Sequence, residues 1–407
     1  MIMKEIWIFN HHALTPDMAG GTRHFDFAKE LVSRGYKVTI FASSFHYSKY
    51  EEMKVYKDTY FLKEELDSVE FIWIKTRPYR GNGLGRILNM LDYMNKVQKA
   101  ALELTPHPDI LIGSSVHLFA VFAAYKVAKK MEVPFVMEVR DIWPQTLIDM
   151  GVASWHPFIL VLAKLENFLY KKADKIITNL PYAYEHICKF GIDKEDVVWI
   201  SNGVDILRSE AIEGHQYESN ILHITYAGAI GQANQLEILI QAAEILKDNK
   251  EILFHIIGDG PSLNYLKQIK TDNVKFYGSL EKKKAISMIK GSDVLFFPLA
   301  DSPIFNYGIS SNKLFDYLAS KKPIIFASNA KNNPVKEANA GISIKAGNVE
   351  EVVRAIQSIK QMDKEERNTL GENGYNYASK YFSIPILVDK LEACLSTLVY
   401  NTSKKER

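Results

Sequence analysis

The feature that most constrains the fold is an alternation of short apolar segments with helical patterns, joined by polar loops. The first apolar segment is Glu5–Phe9, and a loop at residues 10–21 leads to an apolar pattern of helical spacing that ends near Gly35. The next apolar segment is Lys37–Ala42. This order of strand, helix and strand predicts a βαβ unit, from which parallel sheets are built.

The second half of the chain repeats this order. Ile221–Ala227 predicts a strand, Leu236–Leu246 a helix and Ile252–Ile257 another strand. Further strands are predicted at residues 71–74, 110–112, 135–139, 175–178 and 197–200 in the first half and at 274–277, 294–297 and 323–327 in the second. Because ligands of such sheets bind at the carboxyl ends of the strands, we predict an α/β protein with two Rossmann-like domains that face each other across a cleft.

A length of 407 residues is ample for two domains of ordinary size. We predict a first domain at residues 1–202, a polar linker at 203–220 and a second domain at 221–378. Residues 379–407 are predicted to form a C-terminal helix that packs back on the first domain.

The charge balance excludes some classes of partner and site. The 50 basic and 48 acidic side chains give a formal net charge of +2, which argues against nucleic acid as the main partner. The chain has no Asp-x-Asp, His-Glu-x-x-His or Cys-x-x-Cys pattern, so no metal site is predicted. Its two cysteines are far apart and fit a reducing compartment.

No signal peptide pattern is visible at the start of the sequence. The longest uncharged run, between Asp109 and Lys126, is shorter than the ~20 apolar residues that a spanning helix needs. We therefore expect a cytoplasmic protein, with the inner face of the cell membrane as an open alternative.

Three polar sites in the first half follow predicted strands. Gly20 and Gly21 lie between the first strand and the first helix, where glycine lets the backbone approach a ligand or simply makes a tight turn. His117 follows the strand at 110–112, and Arg140 with Asp141 follows the strand at 135–139. These strand ends are where a ligand is expected to bind.

In the second half, Gly258, Asp259 and Gly260 follow a predicted strand and precede a helical pattern. A ligand at this loop and ordinary turn chemistry explain the pattern equally well. No G-x-G-x-x-G sequence follows the first strand of either half, which argues against a nicotinamide or flavin enzyme.

The most informative segment of the second half is residues 308–319. Ser310 or Ser311 is a suitable N-cap for a helix whose first N–H groups, together with Lys313, favour an anion. Asp316 is placed to accept hydrogen bonds from ribose hydroxyls. An ordinary capped helix is the alternative interpretation of this segment.

These segments together resemble the retaining family 4 glycosyltransferases of the GT-B fold. The resemblance rests on the order of several short motifs: Gly20–Thr22, Arg34–Thr39, Ser201–Asp205, Tyr226–Gly228, Gly258–Pro261, and Ser292–Val294 with Pro298. Two more specific stretches, Arg140–Pro144 and Ser311–Leu318, are similar to the branch that contains N-acetyl-fucosaminyltransferases of O-antigen and capsule assembly.

The resemblance implies a hexosyltransferase that uses a nucleoside-diphosphate sugar, UDP-linked and of the N-acetylated deoxyhexosamine type, and retains its anomeric configuration. The acceptor would be a saccharide or a lipid-linked saccharide in bacterial surface polysaccharide biosynthesis. No cofactor or metal would be required. The implied catalytic residues are His117, Arg140 and Asp141. The implied donor-binding residues are Gly20, Gly21, Gly228, Gly258, Asp259, Gly260, Tyr277, Ser279, Leu280, Ser310, Ser311, Asn312, Lys313 and Asp316, with Tyr277–Leu280 around the base and Asp316 on the ribose.

The chain departs from the family pattern at two places. The family has two glutamates in an E-x7-E motif, and this chain has Gly308 and Asp316 there. The loop at residues 228–234 lacks the arginine and lysine that many members place against the diphosphate, so Lys313, Arg140 or Arg23 would have to compensate.

Two stretches suggest contact with an anionic membrane that holds a lipid-linked acceptor. Arg77–Lys99 is basic and apolar, and Trp155–Leu162 is strongly apolar. A buried interdomain helix is the alternative for the second stretch. Two other functions stay open: a sugar-nucleotide 2-epimerase of the same fold, and a non-catalytic sugar-binding partner of a polysaccharide complex.

Overall fold

A computed structural model describes residues 5–16, 18, 20–81 and 83–405, with side chains as far as Leu398. The chain divides into two compact units. Of the described residues, unit 1 contains 5–16, 20–81, 83–201 and 387–405, and unit 2 contains 18 and 202–386. The chain therefore passes from unit 1 to unit 2 after Ser201 and returns after Ile386.

Unit 1 is built on an eight-stranded sheet with the strand order β10-β9-β8-β7-β1-β2-β6-β5. In chain order its elements are β1 Glu5–Phe9, α1 Arg23–Ser33, β2 Lys37–Ser43, β3 Phe45–His46, β4 Glu51–Glu52, β5 Phe61–Leu66, β6 Val69–Ile74, α2 Leu84–Glu103, β7 Ile110–Ser114, α3 Leu118–Met131, β8 Phe135–Val139, α4 Gln145–Asp149, α5 Pro157–Lys172, β9 Lys175–Thr178, α6 Tyr184–Ile187 and β10 Val197–Trp199. All neighbouring strands are parallel except β5, which pairs antiparallel with β6 at the sheet edge.

The first βαβ unit shows how the apolar pattern forms this layer. Phe25, Ala28 and Leu31 of α1 are almost completely buried, because their spacing places them on one helix face. The helix ends at Ser33, and the N–H groups of Gly35 and Tyr36 donate to the carbonyl groups of Val32 and Leu31.

Unit 2 is built on a six-stranded parallel sheet with the order β13-β12-β11-β14-β15-β16. Its elements are α7 Ile206–Glu210, β11 Leu222–Ala227, α8 Glu237–Ile245, β12 Ile252–Ile257, α9 Leu263–Ile269, β13 Val274–Gly278, α10 Lys282–Gly291, β14 Val294–Pro298, α11 Asn312–Leu318, β15 Ile324–Ala327, α12 Pro334–Glu337, β16 Gly341–Ile344, α13 Val349–Gln361 and α14 Lys364–Phe382. Two clusters of buried apolar side chains pack within this unit. The last helix, α15 Ile384–Lys405, starts in unit 2 and belongs to unit 1 from Leu387 onward.

Each unit is a Rossmann-like α/β domain, as the sequence predicted. Four of the described strands were not predicted: the two-residue strands β3 and β4, and the edge strands β5 and β16. In β5, none of the six residues is buried and three are charged, so the strand lacks an apolar signal. The edge strand β16 has only four residues and begins with Gly341.

The segment predicted as a linker, residues 203–220, differs from expectation. It carries α7, and Ile212 is buried within unit 2. The ammonium group of Lys290 on α10 donates hydrogen bonds to the backbone carbonyls of Ser209 and Ile212. These bonds fix the segment, although its composition is that of a linker.

The C-terminal helix contacts the first βαβ unit of unit 1. The guanidinium group of Arg34 lies 2.7 Å from Asp389 and 3.0 Å from Glu392. The hydroxyl of Tyr36 also donates to Glu392, at 2.6 Å.

The stretch Trp155–Leu162 forms the start of α5 and is not a buried helix. Ile159 and Leu162 are buried, but Trp155 is 76% exposed, Leu160 52% and Val161 56%. Within the described range, none of the helices is both long and apolar enough to cross a bilayer.

Candidate active site

The carboxyl ends of three adjacent strands in unit 1 carry a polar cluster. His11 follows β1, His117 follows β7 and Arg140 follows β8. Because β8, β7 and β1 are neighbours in the sheet, their ends bring these three side chains to one edge. The sequence predicted His117 and Arg140 for this edge, but not His11.

The hydrogen bonds of His117 determine the positions of the ring protons. Its Nδ1 accepts from the backbone N–H of Ala120, which caps α3, so the proton of the neutral ring lies on Nε2. That Nε2 lies 2.6 Å from Nδ1 of His11 and donates to it. His11 therefore carries its own proton on Nε2. Both ring nitrogens of His117 are thus engaged inside the protein.

His11 lies in a stack of rings. Its ring centroid is 4.2 Å from that of Tyr93 and 4.4 Å from that of His12. Burial, together with the nearby charges of Arg86 and Arg140, lowers the pKa of His12 to about 3. Burial and the neighbouring imidazoles lower the pKa of His11 and of His117 well below the ordinary value as well. All three histidines are therefore neutral at physiological pH.

Arg140 and Asp141 differ in their environments. The backbone N–H of Arg140 donates to Ser115 at 3.0 Å, which fixes the loop after β8. The Nε atom of the same arginine is buried and has no hydrogen-bond partner among the described residues. Asp141 is exposed. The chain continues through a cis Trp143–Pro144 bond to α4.

Gly20 and Gly21 lie immediately before α1, as the sequence predicted. Gly20 is exposed and Gly21 half-buried. Thr22 occupies the N-cap position, but its side chain donates to Asp26 at 2.5 Å and does not cap the helix.

The guanidinium group of Arg23 is hydrogen-bonded within unit 1. The hypothesis that it replaces the arginine and lysine missing from the loop at residues 228–234 is therefore not supported. Its Nε lies 2.9 Å from Glu138, and its terminal nitrogens donate to the backbone carbonyls of Ile200 and Ser201. His24 donates through Nε2 to the other Glu138 oxygen at 2.6 Å. Burial would raise the pKa of Glu138, but His24 and Arg23 together lower it well below the usual range.

In unit 2, the loops after β11 and β12 are in backbone contact. The N–H of Gly228 donates to Ile257, and that of Ile230 donates to Asp259. Gly258 has a φ of +140°, and a Cβ atom there would overlap the carbonyl oxygen of Gly228. The Gly258–Pro261 motif therefore has a structural requirement for glycine that does not depend on a ligand. Asp259 is exposed and accepts from the N–H of Gly260.

Helix α11 holds Lys313 at the end of β11. The N–H of Ala227 donates to the hydroxyl of Tyr317 at 2.7 Å, and Lys313 lies one turn earlier on the same face. The Lys313 ammonium group lies 4.8 Å from the ring centroids of both Tyr226 and Phe297. It also contacts the side-chain oxygen of Asn234.

The Lys313 side chain is half-buried, and no carboxylate among the described residues contributes to the shift of its pKa. Burial lowers the pKa of its ammonium group to about 7. The positive charge therefore lacks a counter-ion inside unit 2, and an anionic ligand at this place would restore the usual pKa.

The other predicted residues of this segment have defined partners. Ser311 occupies the N-cap position of α11 without a capping side-chain bond. Ser310 accepts a hydrogen bond from the N–H of Asn202 at 2.8 Å, and Asn312 is the first residue of the helix. Asp316 is half-buried, and its carbonyl accepts from Ser320. The helix has only seven residues, so its end alone would contribute little to the binding of an anion.

A hydrogen-bonded chain lies behind Tyr277, which the resemblance places at the base. Its hydroxyl lies 2.8 Å from Nδ1 of His255, and Nε2 of His255 lies 2.9 Å from Nδ1 of His223. The chain ends at the carbonyl of Glu218, an obligatory acceptor, so every proton points toward Glu218 and Tyr277 donates. The hydroxyl of Tyr277 is therefore already hydrogen-bonded, and the face of its ring is the part that could contact a ligand. Ser279 is exposed and Leu280 half-buried.

Gly308, which stands where the family has its first glutamate, adopts a φ of +89°. A side chain at this φ is strained. The missing carboxylate is therefore accompanied by a backbone conformation that suits glycine. Within the described residues, no group of three or more histidine, cysteine, aspartate or glutamate side chains could hold a metal ion.

The sequence matches two models of protein families. The model described as Glycosyltransferase Family 4 matches residues 20–208, and the model described as Glycosyl transferases group 1 matches residues 222–361. A glycosyltransferase model thus matches each of two successive parts of the chain. The first model covers most of unit 1 and the second covers most of unit 2. No curated protein sequence matches the chain.

The solved structures similar to this chain cover almost all of it. Sucrose-phosphate synthase (tll1590) from Thermosynechococcus elongatus has a TM-score of 0.74 at 13% identity, covering 98% of this chain and 100% of its own. Anabaena Alr3699/HepE in complex with UDP and glucose has a TM-score of 0.66 at 17% identity, covering 97% and 100%. WaaG, a glycosyltransferase involved in lipopolysaccharide biosynthesis, has a TM-score of 0.63 at 13% identity, covering 94% and 97%. At these identities the likeness establishes the fold.

Sequence reasoning missed His11, His12 and Arg86 as members of the polar cluster. His11 and His12 come directly after β1, so the rule that selected Arg140 after β8 would have selected them too. Arg86 lies in the first turn of α2, and no local pattern connects it with the strand ends.

Proposed function

We propose that the protein is a retaining glycosyltransferase that takes its sugar from a UDP-sugar bound to unit 2. The observation that carries this proposal is the half-buried Lys313 side chain, whose lowered pKa no carboxylate among the described residues offsets, beside the ends of β11 and β14. A nucleoside diphosphate supplies the missing negative charge at the place where such sheets bind ligands. The two matching glycosyltransferase models support the reaction class.

A panel of UDP-, GDP- and dTDP-sugars tests this proposal through the stabilisation of the protein against heat. We expect a UDP-sugar to raise the melting temperature most, and the Lys313→Met variant to lose most of that rise. Lys322→Met is the matched control, because Lys322 is also partly buried with a lowered pKa but lies beyond α11. Equal losses in the two variants would overturn the assignment of Lys313.

The reaction itself separates the proposed function from its alternatives. A transferase releases UDP only when an acceptor is present, and an epimerase converts the nucleotide sugar alone. A non-catalytic partner binds the nucleotide and does neither. Proton NMR of the product reports whether the anomeric configuration is retained, and full activity in EDTA would support transfer without a metal.

The finer proposal is transfer of an N-acetylated deoxyhexosamine to a saccharide or lipid-linked acceptor in bacterial surface polysaccharide biosynthesis. It is supported by the resemblance of Arg140–Pro144 and Ser311–Leu318 to one branch of family 4. WaaG, with its role in lipopolysaccharide biosynthesis, is consistent with such an acceptor. A donor panel that contains N-acetylated deoxyhexosamines beside UDP-glucose tests the sugar.

We also propose that unit 1 contacts an anionic membrane from the cytoplasmic side. The exposed apolar face of α5, with Leu160 and Val161, is continuous with the exposed Lys164 and Lys171. Sedimentation with anionic liposomes at low salt tests this contact, and neutral liposomes serve as the reference. Leu160→Ser with Val161→Ser should reduce binding, whereas Ile245→Ser, an equally exposed site on α8, should not.

A further inference from the structure

Unit 1 contains a group of buried nitrogen atoms that the proposed donor site in unit 2 does not use. They belong to His11 and His12, which follow β1, and to Arg140, which follows β8. His11 is 1% exposed, and the described residues offer no hydrogen-bond partner to its Nε2, to either ring nitrogen of His12 or to Nε of Arg140.

The unsatisfied atoms are mainly donors. His117 donates to Nδ1 of His11, so the free Nε2 of His11 carries a proton. The Nε atom of Arg140 always carries one, and the neutral ring of His12 offers another. A buried donor without a partner costs about 1–3 kcal/mol of folding stability. Three such donors at one edge of the sheet therefore destabilise the protein unless a ligand accepts their hydrogen bonds.

The charges around these donors are positive. Arg86 and Arg140 both act on His12, and Arg86 acts on His11 and His117. No carboxylate is among the groups that shift the pKa of these three histidines in the described chain. Arg140 lowers the pKa of two carboxylates: Glu138, which is held by Arg23 and His24, and its neighbour Asp141, whose pKa burial raises.

We propose that His11, His12 and Arg140 bind a phosphate group of the acceptor, as a sugar phosphate or as a lipid diphosphate. This inference rests on the proposed function, because it assigns the second substrate of the transferase. A phosphate group presents only acceptor oxygens and matches a set of N–H donors next to guanidinium charge. A neutral sugar hydroxyl would satisfy one donor and leave the positive charge uncompensated.

The test uses the full-length Lys313→Met variant, so that the donor site does not contribute to the binding of phosphates. Inorganic phosphate, glucose 6-phosphate and farnesyl diphosphate in detergent are titrated by calorimetry, with glucose and farnesol as uncharged counterparts. We expect the phosphate-bearing compounds to bind and their counterparts to bind at least tenfold more weakly. A preference for farnesyl diphosphate would assign the lipid source, and a preference for glucose 6-phosphate the free sugar phosphate.

Adding Arg140→Gln or His12→Phe should weaken phosphate binding by about tenfold or more, the loss expected for one charge-assisted bond. Lys57→Gln, an exposed change elsewhere in unit 1, should leave the affinity unchanged. The empty Arg140→Gln protein should melt no lower than its parent, because the change removes a positive charge that acts on the buried ring of His12.

Three results would overturn the proposal. One is equal binding of the phosphates and their uncharged counterparts, and another is an equal loss of affinity in Arg140→Gln and Lys57→Gln. The third concerns UDP binding by the single variants Arg140→Gln and Lys313→Met. If Arg140→Gln alone loses as much UDP affinity as Lys313→Met, the cluster belongs to the donor site. Failure of UDP to bind the unchanged protein would instead contradict the proposed function and leave the phosphate titrations interpretable.

Discussion

Nε2 of His117 donates a hydrogen bond to Nδ1 of His11 over 2.6 Å, and this bond joins the N-terminus of α3 to the end of β1. The pair explains why the histidine that the sequence places at a catalytic position has no free ring nitrogen. His117 orients His11, and His11 offers the free N–H.

Replacing His117 should therefore cost more than the loss of a helix cap. His156 caps α5 through the same kind of bond to the N–H of Phe158, so His156→Ala measures the cap alone, about 1 kcal/mol. His117→Ala also removes the buried partner of His11, which adds about 1–3 kcal/mol. Urea unfolding of both variants checks this difference, and equal losses would contradict the assigned bond.

Gly258→Ala should destabilise unit 2 strongly. The added Cβ would meet the carbonyl oxygen of Gly228, and φ is +140°. Gly278→Ala is the matched control, because Gly278 has a φ of +69° but open space around it, and it should cost about 1–2 kcal/mol. Thermal unfolding of the two variants checks the prediction. A Gly258→Ala protein as stable as the control would show that the two loops separate easily.

The lowered pKa of Lys313 makes the stability of the empty protein depend on pH. Its folded value of about 7 lies below the ordinary 10.5, so the unfolded chain binds more protons between these values. Stability should then rise with pH from about 7 to 10.5, by at most ~1.4 kcal/mol per unit from this group. Urea midpoints across this range should be flatter for Lys313→Met than for Lys322→Met.

Binding of UDP should show the opposite trend. The ligand favours the charged ammonium group, so affinity should fall as pH rises above about 7. Calorimetry at several pH values measures this trend. An unchanged pH profile in Lys313→Met would assign it to another group.

Removing Arg23 should leave the Glu138 carboxylate buried with less compensation and cost about 3–5 kcal/mol. The double change Arg23→Met with Glu138→Gln should cost less than Arg23→Met alone, because it also removes the charge. Since the folded pKa of Glu138 is well below 4.5, its stabilising effect exists above that pH and is lost as pH falls through the folded value. Acid unfolding of the single and double variants tests both statements.

Much of the scaffold could be predicted because buried parallel strands are visible in the sequence as apolar runs. Ile252–Ile257 and Phe135–Val139 were predicted with the same bounds that the structure gives. The strand Phe61–Leu66 was not, because an exposed edge strand needs no apolar face.

The site was predictable only where position along a strand or a helix decides it. Arg140 was selected because it follows a strand, and Lys313 because it lies at the start of a helix. The engagement of Arg23 with Glu138 joins residues 115 apart in sequence, and no local pattern reports such a pairing. The close approach of Gly258 to Gly228 is a contact of backbones, which the side-chain pattern cannot distinguish from a turn.

The return of the chain to unit 1 after Ile386 affects the order in which the two units can fold during translation. Apart from Met18, the described part of unit 2 is one continuous segment, but unit 1 is completed only by the final helix, whose Asp389 and Glu392 bind Arg34. During synthesis on the ribosome, the whole of unit 2 emerges before the last piece of unit 1 does. Unit 2 can therefore be exchanged or expressed as a single insert, whereas a fragment that ends at Ser201 lacks part of its own fold.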